Sequence, residues 1–284
     1  MAIISNQATL SYNGNVVTSN VATGEIIEVL EASKTAVSAS YGQGDVITYV
    51  ISIVNTGTTP VTGVSVTDDL GGYAFGEETL YPLSYEDGTL RLFENGVLQA
   101  TPAVTAGPPL SVSGVTVPAE GNVVLVYSAA VTQYAPPGTG AVIENTATVE
   151  GGGVLPFTVT ESIPAAAEPE LAIEKSIAPA VVKTAGELSY TFVIRNYGAA
   201  EAAASANVKI TDALDPILSG LSATLDGAPM SDPSDYSYDE TTGIFETVEG
   251  AVTVPAAAFT QDAATGVWTV TPGETTLVIT GTVG

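Results

Sequence analysis

The sequence predicts an all-β chain, and three observations predict it. Segments such as Val46-Ile47-Thr48-Tyr49-Val50-Ile51-Ser52-Ile53 and Leu188-Ser189-Tyr190-Thr191-Phe192-Val193-Ile194 alternate with the two-residue period of a half-buried strand. Short Val- and Thr-rich runs are punctuated by 29 Gly and 17 Pro, which supply turns. One arrangement of Lys, Tyr, Asn and Gly occurs twice with identical spacing, so the chain of 284 residues reads as two tandem sandwiches of antiparallel sheets. Helix signals are few; the Ala-rich stretch 198–206 could form a helical turn where the first copy has a hairpin loop.

The first element is a hairpin over residues 1–27, with Asn13-Gly14 as its turn. It reads as a copy of a second hairpin, Glu144-Asn145-Thr146-Ala147-Thr148-Val149 followed by Phe157-Thr158-Val159-Thr160-Glu161-Ser162-Ile163. The second copy closes a body that precedes it; the first has no preceding body to close. The first sandwich spans 28–163, where Lys34 leads to Tyr49, Asn55, Gly57 and Val66-Thr67-Asp68-Asp69-Leu70. A stiff, Pro-flanked connector occupies 164–170. The second sandwich, 171–284, repeats the series as Lys175, Tyr190, Asn196, Gly198 and Ile210-Thr211-Asp212-Ala213-Leu214. Its late strand Leu277-Val278-Ile279-Thr280 matches Val123-Val124-Leu125-Val126-Tyr127, but no closing hairpin follows. The second sandwich is therefore expected to lack its last strands.

Lys, a strand ending in Asn-Thr-Gly, Val-x-Val-Thr-Asp-x-Leu and Asn-Thr-Ala-Thr-Val together resemble the repeat of bacterial and archaeal surface proteins catalogued as domain of unknown function eleven. That resemblance is clearest over 30–163. It implies immunoglobulin-like sandwiches and an extracellular role at the cell surface or in an appendage.

Composition excludes other classes. Six basic against 31 acidic residues give a net charge of −25, which repels nucleic acid and anionic membranes. With no Cys and no His, disulfides, thiolate metal sites and the usual general base are absent. No cofactor is expected, and no external-substrate enzyme, since only carboxylate chemistry would remain. No apolar run is long enough to span a bilayer, and the opening Met1-Ala2-Ile3-Ile4-Ser5 shows no basic or apolar region of a secretory signal. Asp232, Asp235, Asp239 and Glu240 are the best candidates for calcium, although their spacing departs from the twelve-residue calcium loop.

A sandwich without its closing strands exposes unpaired backbone groups and an apolar groove. The orphan hairpin has the sequence to fill it, with Asn6, Ala8, Leu10, Tyr12 and Val21 as donor residues. Strands of about ten residues would have to cross roughly 33 Å, a full domain length, to reach the gap within their own chain. The expected partner is another copy, and head-to-tail contacts of this kind grow open filaments. A monomeric adhesin or surface-layer module is the alternative, with Tyr236 and Tyr238 of the 231–243 loop stacking on sugar.

Lysine is scarce, only Lys34, Lys175, Lys183 and Lys209, yet each copy places one on its first strand. The matching acids are Asp68 and Asp212; Asp69 is excluded because its counterpart is Ala213. With Asn145 opening the closing hairpin, Lys34, Asp68 and Asn145 resemble the set that several Gram-positive pilin domains use for Lys–Asn isopeptide bonds; an ordinary Lys–Asp ion pair, with the Asn capping a turn, is the alternative. A neutral Lys attacks the carboxamide while a protonated Asp polarises it and passes a proton to departing ammonia. In the second copy Lys175 and Asp212 would be completed by Asn6 of a neighbour. Asn55 and Asn196, each two positions before a Gly, are expected to serve turns.

Overall fold

The computed structural model describes residues 2–26 and 29–284. The boundary at 27/28 between the first hairpin and the first sandwich lies outside the described residues. Contacts divide the chain into two units, 1–136 with 142–164, and 137–141 with 165–284.

At the start, β1 (Ala2–Asn6) pairs antiparallel with β4 (Ala22–Ile26), and β2 (Thr9–Tyr12) with β3 (Asn15–Thr18). Asn13 and Gly14 both have positive φ, 43° and 81°, the requirement of a type I′ hairpin turn. Between the two ladders the backbone of Ala8 exchanges hydrogen bonds with Ser19, donating to its Oγ at 2.9 Å and accepting from its N–H at 2.8 Å. Ala8 and Val21 sit in this irregular waist, outside the regular strands expected for them.

The first sandwich follows in chain order: β5 (Leu30–Ala36), β6 (Val46–Asn55), β7 (Val61–Asp68), β8 (Tyr73–Phe75), β9 (Glu78–Leu80), β10 (Leu83–Tyr85), β11 (Arg91–Glu94), β12 (Val97–Leu98), β13 (Ala103–Thr105), β14 (Leu110–Val117), β15 (Gly121–Val131), β16 (Val142–Gly151) and β17 (Val154–Pro164). One sheet has the order β12-β11-β15-β6-β5, with β10 also on β15; the other runs β13-β14-β7-β16-β17. The alternation seen in the sequence sends Ile47, Ile51 and Ile53 of β6 and Val123 and Leu125 of β15 into the core, with Val64, Val66, Val112, Val115 and Val149 from the second sheet also buried. After β7 the chain turns sharply through Leu70 and Gly71, both at positive φ. A Cβ on Gly71 would lie 2.8 Å from Ile143 Cγ2, which is why glycine stands there.

The second unit contains β18 (Leu171–Ala178), β19 (Glu187–Asn196), β20 (Thr211–Ala213), β21 (Leu218–Leu225), β22 (Ala228–Pro229), β23 (Tyr236–Asp239), β24 (Ile244–Thr247), β25 (Ala258–Gln261), β26 (Trp268–Thr271) and β27 (Gly273–Val283). Its larger sheet has the order β18-β19-β27-β21-β22, and β20-β24-β23 form a smaller one. The Ala-rich stretch does wind into a single 3₁₀ turn, Ala204–Ala206.

Pairing registers repeat between the units. Leu30 faces Asn55 and Lys34 faces Ile51; Leu171 faces Asn196 and Lys175 faces Phe192. Asn55 and Asn196 are buried and bond alike. Asn55 Nδ2 donates to Thr59 O (2.9 Å) and Val117 O (3.3 Å), while its Oδ1 accepts from Gly57 N–H. Asn196 Nδ2 donates to Ala200 O (2.7 Å) and Pro255 O (3.0 Å), and its Oδ1 accepts from Gly198 N–H. Each organises its turn as expected and also ties the loop to a backbone carbonyl distant in sequence.

The units differ at one edge. In the first, β7 is hydrogen-bonded on both sides, to β14 and to β16. In the second, β20 pairs with β24, which occupies the place of β14: Ala202 bridges Val254 as Val61 pairs with Val117. Among the described residues no strand lies on the other edge of β20. Correspondingly β18 is exposed along its whole length, with Ile173 and Ile177 at 58% and 46%, whereas in β5 the inward positions are half-buried and Lys34 is buried.

Asn55→Ala removes a donor from two inward-facing carbonyls and should cost about 3 kcal/mol of first-unit stability, measured by urea unfolding.

Candidate functional site

Between the two sheets of the first unit three polar groups are buried together. Lys34 comes from β5 at the edge of one sheet, Asp68 from the last position of β7 in the other, and Asn145 from β16. The Lys34 and Asp68 side chains are 0% and 2% exposed, and Asn145 is fully buried. Lys34 Nζ donates to Asp68 Oδ2 at 2.7 Å, so the pair bridges the sandwich. The other carboxylate oxygen accepts the N–H of Leu70 at 3.0 Å. Asn145 Nδ2 donates to the Tyr127 hydroxyl at 3.5 Å, and Tyr127 donates to Asp68 Oδ2 in a short hydrogen bond. Asn145 Oδ1 and the Tyr49 hydroxyl, both buried, have no hydrogen-bond partner among the described residues.

Aromatic rings wall the site. Tyr49 and Tyr127 face each other across β6 and β15, stacked with centroids 5.6 Å apart, and Lys34 Nζ lies 5.1 Å from the Tyr49 ring centre. Burial pulls the Lys34 ammonium below the ordinary lysine range, opposed by the charge of Asp68. Burial pushes the Tyr127 phenol well up, and the neighbouring Asp68 charge adds to this. Tyr49 is raised by burial as well, partly offset by the Asn145 side chain. Lys34 is thus connected to the Asn145 carboxamide through Asp68 and the Tyr127 hydroxyl.

The second unit repeats half of this site. Lys175 Nζ donates to Asp212 Oδ2 in a short bond and lies 4.5 Å from the Tyr190 ring centre. Here the side chains are 41% and 18% exposed, because nothing among the described residues covers β18 as β17 covers β5. Tyr190 faces Ile279, so the hydroxyl that Tyr127 supplies in the first unit has no counterpart.

Asn6, Ala8, Leu10, Tyr12 and Val21 are all exposed, Leu10 at 64% and Tyr12 at 54%. Their hairpin matches the β16–β17 hairpin in its outer pairs and its innermost pair, while Thr9–Thr18 and Leu10–Val17 lie one residue out of step with Thr148–Thr158 and Val149–Phe157. Asn6 faces Ala22 as Asn145 faces Glu161, and the innermost pairs Tyr12–Asn15 and Gly151–Val154 correspond under the same shift of numbering. Under that shift the buried residues of β16, Ile143, Asn145, Ala147 and Val149, become Ile4, Asn6, Ala8 and Leu10.

The expectation for the two tyrosines of the 231–243 loop is corrected. Tyr236 is not available to a sugar: it is 5% exposed and stacked on Phe245 at 5.2 Å. The Tyr238 hydroxyl is occupied by the backbone N–H and C=O of Leu218. The alternation Tyr-Ser-Tyr-Asp is that of a strand, and β23 turns one of its faces to the core. Asp235 and Asp239 accept backbone N–H groups of their own loop, Glu240 accepts that of Gly220, and among the described residues no three potential ligands gather. Asp69 holds the turn after β7, accepting from Gly71 and Thr146 N–H groups. Tyr127 was missed by sequence comparison because the second copy carries Ile279 there. No helix among the described residues is long and apolar enough to cross a membrane.

No protein-family model matches the chain, and no curated protein matches it in sequence. Solved structures share its β architecture loosely. The major pilin subunit of Bacillus cereus matches at 13% identity and TM-score 0.35 over 96% of this chain and 73% of that one. The pilus backbone of Streptococcus pneumoniae matches at 12% and 0.34, over 86% of this chain and 55% of its own. The N-terminal domain of the Streptococcus gordonii adhesin Sgo0707 matches at 15% and 0.37, over 54% and 36%. The chain thus spans about half or less of the adhesin and pneumococcal chains.

Two outcomes follow from the burial contrast. Asp68→Ala strands a lysine in an apolar pocket and should cost about 3–5 kcal/mol, whereas Asp212→Ala, beside a half-exposed lysine, should cost about 1 kcal/mol or less; urea denaturation of each variant measures both. The Tyr41 phenol, pushed up to about 12 by burial, and those of Tyr49 and Tyr127, also raised, favour the folded state below the ordinary tyrosine pKa of about 10. That contribution should be lost as pH rises from about 10 to 12, seen as phenolate absorbance appearing together with unfolding.

Proposed function

We propose that the protein is the structural subunit of an extracellular filament, in which the N-terminal hairpin of one copy completes the second sandwich of the next. The observation that carries this reading is the register match between the free hairpin and the β16–β17 hairpin, together with the open edge of β20. In the first unit Ala147 of β16 pairs with Asp68 and Val149 with Val66. The same register places the donor's Ala8 opposite Asp212 and its Leu10 opposite Ile210. Docking then pairs the open backbone groups of β20 and covers Ile173 and Ile177, each worth roughly 1.5–3 kcal/mol when fully buried.

The incoming Asn6 takes the place of Asn145, beside Lys175 and Asp212. Burial under the donor hairpin removes water from that lysine, and the set matches Lys34, Asp68 and Asn145. Each chain then holds one Lys34–Asn145 isopeptide bond within itself and one Lys175–Asn6 bond to a neighbour. Such ties suit a chain with no cysteine. The donor's partner is a second copy of this chain, and no nucleic acid, membrane insertion or cofactor enters the scheme.

Deleting residues 1–27 should abolish filaments in negative-stain images; filaments that persist without the hairpin would overturn strand donation. Boiling wild-type filaments in denaturant should leave a ladder on a gel. Asn6→Ala should collapse that ladder to monomer while filaments still form, and a ladder indifferent to the change would reject Asn6 as the donor of the bond.

A further inference from the structure

Asp68 does not reach the Asn145 carboxamide by a direct hydrogen bond: its partners are Lys34, Tyr127 and the N–H of Leu70. The route from the carboxylate to the nitrogen that would depart runs through one phenol. We propose that Tyr127 is a catalytic residue of the first-unit cross-link, relaying a proton from Asp68 to the leaving nitrogen of Asn145. This rests on the Lys34–Asn145 reading given above and adds to it a group that reading did not contain.

The geometry fits a relay. Tyr127 lies in the middle of β15, 1% exposed, its ring stacked on Tyr49 and tilted against Tyr85 at 6.3 Å. A phenylalanine would fill that slot equally well, so the hydroxyl is there for its two polar contacts. On one side it meets Asp68 Oδ2, the oxygen that also accepts from Lys34; on the other it accepts from Asn145 Nδ2 at 3.5 Å, a distance that closes as the reaction begins.

The step balances without any added reagent. The Lys34 ammonium gives one proton to Asp68, leaving a neutral amine and a carboxylic acid. The amine nitrogen attacks Asn145 Cγ, and the carbonyl electron pair moves onto Oδ1. Asp68 passes its proton to the Tyr127 oxygen while Tyr127 passes its own to Nδ2. The Cγ–Nδ2 bond breaks as the electron pair on Oδ1 re-forms the carbonyl. The departing amide takes this relayed proton and leaves as ammonia, and the attacking nitrogen returns its extra proton to Asp68. One N–C bond has formed, one has broken, and the tyrosine ends as it began. Burial and the neighbouring Asp68 charge raise its proton affinity and favour the phenol before and after the step.

In the second unit Ile279 stands opposite Tyr190, so the bond to an incoming Asn6 forms without this phenol. The two cross-links are therefore separable by one atom.

Intact-protein mass spectrometry of the purified, unpolymerised chain tests the inference. Wild type should weigh one ammonia less than its sequence. Tyr127→Phe should be isolated mostly at full mass and mature at least about 100-fold more slowly, while its boiled filaments still show the inter-subunit ladder. A fluorinated tyrosine at 127, which keeps both shape and hydroxyl, should shift the pH dependence of maturation, a readout that altered packing would not move. Wild type at full mass would remove the Lys34–Asn145 bond and the relay together. A folded Tyr127→Phe already lighter by one ammonia, or a fluorinated variant with an unchanged pH profile, would overturn the relay alone.

Discussion

An ammonium and a carboxylate held between two sheets, out of contact with water, are tolerable only while a third element keeps the water away. In the first unit that element is the β16–β17 hairpin, and beneath it the Lys34–Asp68 pair is almost fully enclosed. The second unit presents the same pair without the hairpin, and there the lysine is half open. Desolvation is costly for each charge by itself, and the chain meets that cost only where backbone pairing, apolar burial and hydrogen bonds from neighbouring strands are all in place. The state of the lysine, and with it any chemistry at the site, is thus set by strand pairing several residues away.

Much of this was legible in the sequence because the chain contains its own comparison. The recurring Lys, Asp and buried Asn residues fall at equivalent registers, and the period-two runs are the core strands β6, β15, β19 and β27. What was not legible lay where the copies diverge. Tyr127 has Ile279 as its counterpart, so a search for shared polar residues passes over it. Tyr236 and Tyr238 sit among acidic residues and read as an exposed loop, yet pairing with β24 makes them a strand whose inner face is the core. Local composition reports solvent preference; it does not report which side of a sheet a residue faces.

The two asparagines Asn55 and Asn196 show how far the common plan extends. A turn residue needs only its local bonds, but each of these also reaches a distant backbone carbonyl, that of Val117 for Asn55 and that of Pro255 for Asn196. The loops at this end of each unit are consequently fixed by a buried amide.

A free hairpin that imitates the β16–β17 hairpin so closely is also a competitor for the first sandwich. While a nascent chain is still unclosed, a hairpin from another molecule could invade the place of β16. One feature biases the outcome: β16 is joined to its own sandwich by a short segment, giving it an effective concentration in about the millimolar range. In the assembly proposed above, correct pairing is thus a matter of timing, with intramolecular closure outrunning capture by strangers whenever free subunits stay dilute.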